Sequence, residues 1–456
     1  MNEVPLDSVP SSPAPAAEGI INRVVESPLV RDGLIIISGV IAGNLIGFLR
    51  VALIAYLLGT HSRADSLAVA MGPLDALNAV FINSMVFAFV PMLTAVQGDA
   101  RIALFRQLYR LFAWVFAGIA GVVILAAPWL MRVLAPGLAP AYFSMAVGNL
   151  RILAFSILAA GTAAIYCALL YTDRRFAPAA FYQAMLNVGT IAAALALWKL
   201  VGVYAFAIGY TAGACAQFAI VYLATRRELS AAAPVPSRSS GTPWHEILLK
   251  PAFFIVYAAG LGLNIIFTRA YATHAGPGMA AALDYCMRGV GVPVALLVNP
   301  ISNSLLPEIA RLRSLCRIRE AFRLIDRTIG LTALVAVSGC AFALLFRQPA
   351  IKLLFQRGSF TANSTLLVSA VFLGLGPCLI GWSLMEIASR SLFALERPWP
   401  PVIAAAVPLA VNVTLTLWIH SFQPEWIGLG AAVGAMAGFL TLFAMAHLTR
   451  TQPVRQ

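Results

Sequence analysis

Apolar residues run along this chain in long blocks separated by short polar or Pro- and Gly-rich turns. Twelve blocks reach bilayer length, at about 34–58, 65–95, 112–134, 146–171, 178–199, 202–225, 248–273, 279–307, 326–346, 365–395, 400–420 and 427–448. A helix needs about 20 apolar residues to cross the hydrocarbon core. Inside lipid every backbone N–H and C=O must be satisfied within the segment, which selects helices. The pattern predicts an all-α polytopic membrane protein with about twelve transmembrane helices in two six-helix lobes.

The polar intervals divide the chain. Residues 1–32, rich in Pro, Ala and Ser, read as a disordered cytoplasmic tail. They lack a basic stretch followed by an apolar core, so they do not read as a secretory signal. An N-terminal lobe spans 33–225, a cytoplasmic linker 226–246, a C-terminal lobe 247–449, and a short cytoplasmic tail 450–456. Within the second lobe, residues 308–327 carry six arginines, with Ile309, Leu312, Leu315, Ile318 and Phe322 at helical spacing. This predicts an amphipathic helix on the inner leaflet. It would serve as a positive anchor, or as a gate or head-group site.

The halves repeat each other. Arg50 precedes Asp65 by 15 residues, and Arg269 precedes Asp284 by 15. Pro73 follows Asp65 by 8 and Pro293 follows Asp284 by 9, while Asn83–Pro91 and Asn299–Pro307 are both 8 apart. PWLMRVLAPG at 128–137 parallels PAIKLLFQRG at 349–358. Offsets of 216 to 221 in one order indicate two homologous halves. Both start on the same side, so the repeat is parallel. Gly72-Pro73 is expected to interrupt the second helix, since Pro lacks the N–H and clashes one turn back.

Composition agrees with the pattern. The chain has 456 residues, of which 61% are hydrophobic and 11% charged. Soluble domains carry about 25% charge. A net charge of +13 would suit nucleic acid, but the cations cluster in alternate inter-span segments. With the N-terminus inside, 20 Lys and Arg fall on inner segments and 6 on outer ones. That bias favours both termini in the cytoplasm and argues against a nucleic-acid partner. The six cysteines form no CxxC pair and the five histidines no metal spacing, so no metal site is indicated. No catalytic motif appears, so the chain does not read as an enzyme.

The candidate chemistry lies in charges within apolar runs. Each costs about 3 kcal/mol on insertion scales, so it faces a cavity or a partner. Arg50 would bind an anionic cargo, or pair with Asp75 or Asp65. Arg288 would bind cargo, or pair with Asp284 one turn away. Arg269 reads as an outer-face anchor or a member of the same cationic site. Asp75 would titrate as a coupling group or neutralise an arginine. Glu386 and Arg390 stand at i,i+4 with Glu first, as an intrahelical pair or a gating carboxylate. Asn412, Thr414 and Thr416 would bind sodium or link helices.

These residues resemble the MurJ/MviN family, the lipid II flippases of the multidrug/oligosaccharidyl-lipid/polysaccharide exporter superfamily. The resemblance rests on GFLRVALIAYLLG at 47–59, ADS at 64–66, FVPML at 89–93, Arg288 with Pro293 and LLPEIA at 305–310, and LLFQRGSFTANST at 353–365. It covers roughly 35–450. It implies two six-helix lobes around a central cationic cavity that alternates between faces and moves an undecaprenyl-pyrophosphate-linked saccharide outward. On that implication Arg50, Arg288, Asp65, Asn78 and Arg269 form the substrate site, with Asp75, Asp284, Glu386 and Arg390 in gating or coupling. Arginine suits the task because its planar fork pairs with phosphate oxygens.

The sequence departs from the family pattern. Val51 stands where the family has Asp after its Arg, Asn44 stands where it has Arg, and its Pro-Asn-Leu-x-Arg stretch becomes Pro73-Leu-Asp75-Ala-Leu-Asn78, losing another Arg. Many members have fourteen spans, the extra pair offering a groove for the lipid tail. Lipid II and a related exopolysaccharide unit are both open as cargo. A drug or cation exporter of the superfamily, or a non-transporting scaffold recruiting glycan-synthesis enzymes, are the alternatives. No cofactor is called for. Uphill transport would use a coupling ion, the membrane potential or product flux. Expected partners are the lipid-linked saccharide and membrane lipids.

Overall fold

A computed structural model describes residues 28–231, 244–419 and 423–449. Among them regular structure is helical throughout. In chain order the helices are α1 (Pro28–Leu58), α2 (Ser62–Thr94), α3 (Gly98–Leu134), α4 (Pro140–Thr172), α5 (Phe176–Val201) and α6 (Tyr204–Ala231). The second half has α7 (Trp244–Ala272), α8 (Met279–Pro293), α9 (Asn299–Ser314), α10 (Ile318–Leu345) and the short α11 (Arg347–Phe355). It ends with α12 (Ala362–Leu375), α13 (Cys378–Ala394), α14 (Trp399–Ile419) and α15 (Leu429–Thr449). A π turn at Val294–Val298 joins α8 to α9 in one rod. α12 and α13 meet at 45°.

Ten single helices are long and apolar enough to cross a membrane, and the bent pair makes eleven. α2 has 33 residues, about 50 Å at 1.5 Å per residue, and is the twelfth of spanning length. Each of the twelve expected blocks coincides with a helix, a helix rod or a bent helix pair.

α1–α6 pack with one another and α7–α15 with one another, giving two lobes. α4 is the buried post of the first lobe, with an unbroken buried run from Ala160 to Leu170. Its small residues allow close approach, and an ideal Cβ on Gly161 would sit 2.6 Å from the Phe116 ring. α5 and α6 cross at Gly189 and Gly213, where a Cβ on Gly189 would come within 2.5 Å of the Gly213 Cα. In the second lobe, Asn412 on α14 donates to Asn264 Oδ1 at 2.7 Å and to Thr268 Oγ1 at 2.8 Å on α7. Thr416 donates to Asn412 Oδ1 at 3.1 Å, so these polar groups link helices. Thr414 bonds back to Ala410 of its own helix.

Three expectations change. No separate amphipathic helix covers 308–327. EIARLRS ends α9, and IREAFRLIDR begins α10. Cys316 at φ +57 makes the turn between them, and Arg317 N–H closes it on the Leu312 carbonyl at 2.9 Å. Ile309, Leu312 and Phe322 of the apolar stripe are buried between helices and Ile318 is half-buried, while Leu315 is 52% exposed. Gly72-Pro73 does not interrupt α2, which runs through Pro73 and Pro91. Pro293, by contrast, is followed by the π turn. The linker is also shorter than read, since α6 continues to Ala231 and α7 starts at Trp244. Most of the expected tail 1–32, the centre of the linker and the tail at 450–456 lie outside the described residues.

Candidate functional site

The two lobes meet where the α1–α2 and α7–α8 turns come together on one face. Asp65, in the first turn of α2, accepts Gly278 N–H at 2.6 Å and Ala281 N–H at 2.9 Å. It thereby caps the N-terminus of α8 from the other lobe, where free amides and the helix dipole favour an anion. The Tyr285 hydroxyl donates to the Gly59 carbonyl at 2.7 Å. Gly278 at φ +86 lies against Thr60, and no side chain fits there.

The repeat closes this seal twice. Gly137 N–H donates to Thr273 Oγ1 at 3.0 Å, and Ser359 N–H donates to the Tyr56 carbonyl at 2.8 Å. Each segment that follows a lobe's third span thus reaches the first hairpin of the other lobe. That is the arrangement a parallel repeat requires.

Deeper in the membrane lies a charged cluster. Asp75 of α2 accepts from Arg288 of α8 at 2.7 Å and from Arg50 of α1 at 3.4 Å, both on Oδ2. The Tyr210 hydroxyl of α6 donates to its Oδ1 at 2.9 Å, and Asn78 donates to Tyr210 at 3.5 Å. The Arg50 guanidinium stands 5.8 Å from the Tyr210 ring centre, within cation–π range. One carboxylate thus serves cations from both lobes. Arg50 is 3% exposed, and its Nε and Nη1 have no hydrogen-bond partner among the described residues. Arg269 and Asp284 form a close pair beside the cluster. The Arg269 guanidinium lies against Gly72, where an ideal Cβ would fall 1.8 Å from Nη1. Three arginines and two carboxylates leave the cluster with one excess positive charge.

A cavity of about 250 Å³ opens from this cluster toward the face on which α1 begins. Arg50, Asp75 and Arg288 stand at its inner end, with Asn44, Asn78, Gln183, Asn187 and Gln217 along its length. The charge is therefore concentrated next to the sealed face, and the mouth is neutral and polar.

The geometry places the expected residues unevenly. Arg50, Asp75, Asn78 and Arg288 come together at the cavity. Arg288 pairs across the lobes with Asp75, not with Asp284 on its own helix, because Asp284 is taken by Arg269. Arg269 is 7% exposed and is not an outer-face anchor. Asp65 belongs to the seal and not to the cavity lining. Glu386 and Arg390 form their intrahelical pair at 2.5 Å on α13, outside the cavity. Sequence reading missed Tyr210, Gln183, Asn187 and Gln217. A signal existed, since Gln183 and Asn187 stand at i,i+4 and Tyr210 and Gln217 at i,i+7, each pair on one face of an apolar helix.

The family model described as lipid II flippase MurJ matches residues 54–454. The chain belongs to the MurJ family. Relatives include a probable lipid II flippase MurJ of Rhizobium meliloti, 27% identical over 91% of this chain and 80% of its own. The lipid II flippase MurJ of Burkholderia cenocepacia is 28% identical over 90% of this chain and 82% of its own. Among solved structures, a lipid II flippase MurJ in an inward closed conformation superposes with TM-score 0.79 at 18% identity, covering 91% of this chain and 87% of that one. An inward-facing multidrug resistance MATE transporter of the MOP superfamily superposes with TM-score 0.74 at 14% identity, over 90% and 96%. These two likenesses show the shared fold.

Proposed function

We propose that this protein moves an undecaprenyl-pyrophosphate-linked saccharide, lipid II in the first instance, from the inner to the outer leaflet of the bacterial inner membrane. The observation that carries the reading is the cationic end of the cavity, where Arg50 and Arg288 from opposite lobes share one carboxylate. Family membership supports the cargo class, and the excess positive charge supports a pyrophosphate head.

The mechanism follows from what each group would exchange. With the cavity open toward the face of the 20 inner cations, the head group enters past the neutral amides. Its phosphate oxygens compete with Asp75 for Arg288, a bidentate donor on the half-exposed side of the cluster. The free Nη1 and Nε of Arg50 add donors. The lipid tail stays in the bilayer. Outward opening then requires Asp65 to leave the α8 amides and the Gly137–Thr273 and Ser359–Tyr56 contacts to part, so the lobes rock about the central site. Both termini stay cytoplasmic. A coupling ion or the membrane potential supplies the drive, with Asp75 as the group exposed to it. A drug-cation exporter would call for a net negative cavity, opposite in sign to this one.

The test is flipping of lipid II by purified protein in proteoliposomes. Arg288→Ala, matched for folded protein, should abolish it. Undiminished flipping by that variant would remove the proposed role of the cluster.

A further inference from the structure

A second cavity, of about 220 Å³, lies in the second lobe on the other side of α8 from the charged cluster. Its walls come from α8 and the π turn, α10, α12 and α13, and its lining is apolar apart from Thr332 and Ser383. These two hydroxyls are 4% and 1% exposed, and neither has a hydrogen-bond partner among the described residues. Their neighbours behave differently. On α10, Thr328 and Ser338 turn back to the Leu324 and Leu334 carbonyls at 2.9 and 2.8 Å. On α13, Ser391 turns back to Ile387 at 2.6 Å. Back-bonding to a carbonyl four residues earlier is the usual way a helix satisfies such a hydroxyl. An unpaired buried hydroxyl costs stability, so two that line one pocket mark a place where a ligand oxygen completes the pairing.

We propose that this pocket binds a neutral lipophile carrying one hydrogen-bonding oxygen, such as a medium-chain alcohol, drawn from the bilayer. No charged side chain lines it, which excludes ionic ligands. Leu297, Ile301, Val335 and Phe342 line it and are also 40–63% exposed on the lipid side, so entry is lateral. An apolar cavity of about 150 Å³ already holds benzene, so this one holds about ten non-hydrogen atoms. Leu297 and Val298 of the π turn form part of the wall. Occupancy therefore braces the one place where the α8–α9 rod departs from α-helical geometry, and such turns often sit at functional sites.

The experiment is photolabelling of the full-length protein in membranes with a diazirine analogue of octanol. Label is expected on α10 and α13 near Thr332 and Ser383, competed by unlabelled octanol. The near-isosteric pair Thr332→Val with Ser383→Ala should lower that label by about fivefold or more, the effect of losing at least one hydrogen bond. Ala336→Leu, which fills the pocket, should remove it while flipping by the unliganded protein is retained. Label spread evenly over lipid-facing helices, or unchanged in both variants, overturns the proposal. The readout is independent of the cargo, so loss of the flippase reading would leave it standing.

Discussion

The first hairpins of the two lobes, α1–α2 and α7–α8, carry Arg and Asp at the same spacing and use them differently. In the second lobe Arg269 pairs with Asp284 inside its own hairpin. In the first, Arg50 turns to Asp75 instead, which frees Asp65 to cross to the α8 amides. The same offset of 219 takes Asp75 to Val294 and Arg288 to Val69. Neither extra charge has a counterpart in the other half. The first lobe thus holds the unmatched acid and the second the unmatched base, and they meet across the cavity. Divergence between repeats, more than the repeat itself, built the charged site.

Breaking each hairpin's acid separates the two uses most strongly. Asp284→Ala removes the carboxylate that pairs directly with the buried Arg269. It should cost about 3 kcal/mol or more of stability, seen as a lower thermal midpoint in detergent. Asp75→Ala strands Arg50 and also unlinks the lobes. It should destabilise by a similar amount and in addition lose flipping in proteoliposomes. A stable Asp284→Ala protein would show that the hairpin pair carries no load.

The next effect is at the seal. Asp65→Asn keeps the shape but loses the charge and one of the two acceptors for Gly278 and Ala281. A charge-assisted hydrogen bond contributes about 1.5–3 kcal/mol. The outward-open population should therefore rise, read as greater accessibility of a cysteine placed at Gly276 to an impermeant reagent. Unchanged accessibility would argue that the other cross-lobe contacts, Gly137–Thr273, Ser359–Tyr56 and Tyr285–Gly59, hold the seal without Asp65. Smaller again is Arg288→Lys, which keeps charge but loses the fork. Flipping should fall by about tenfold, equivalent to about 1.4 kcal/mol. The smallest is Asn412→Leu, remote from the cavity, which removes two interhelical hydrogen bonds worth about 0.6 kcal/mol each. It should lower the thermal midpoint slightly and spare flipping.

Much of this was legible in the chain. The twelve apolar blocks and the parallel repeat follow from hydropathy and spacing, and Arg50, Asp75 and Arg288 stand out as charges within apolar runs, while Asn78 entered only through the family resemblance. Partner choice did not. Arg288 and Asp284 are one turn apart on α8, and local rules favour their pairing. The packing of α7 against α2 delivers Arg269 to Asp284 first, and no periodicity encodes that. Arg269 is buried because Gly72 leaves room for it, which only the crossing of two helices reveals. The basic stretch at 308–327 misleads for a related reason. Its apolar stripe has the spacing of a membrane-surface helix, but Cys316 turns the chain in the middle and both halves bury the stripe against α13.

The claim on which the account rests is that the cargo's pyrophosphate takes the place of Asp75 on Arg288. Binding of undecaprenyl pyrophosphate to the purified protein tests it through two substitutions of opposite sign. Arg288→Gln should weaken binding, and Asp75→Asn, which removes the competing carboxylate, should tighten it. If Asp75→Asn weakens binding as much as Arg288→Gln does, the carboxylate holds the cargo site together and does not yield to the cargo.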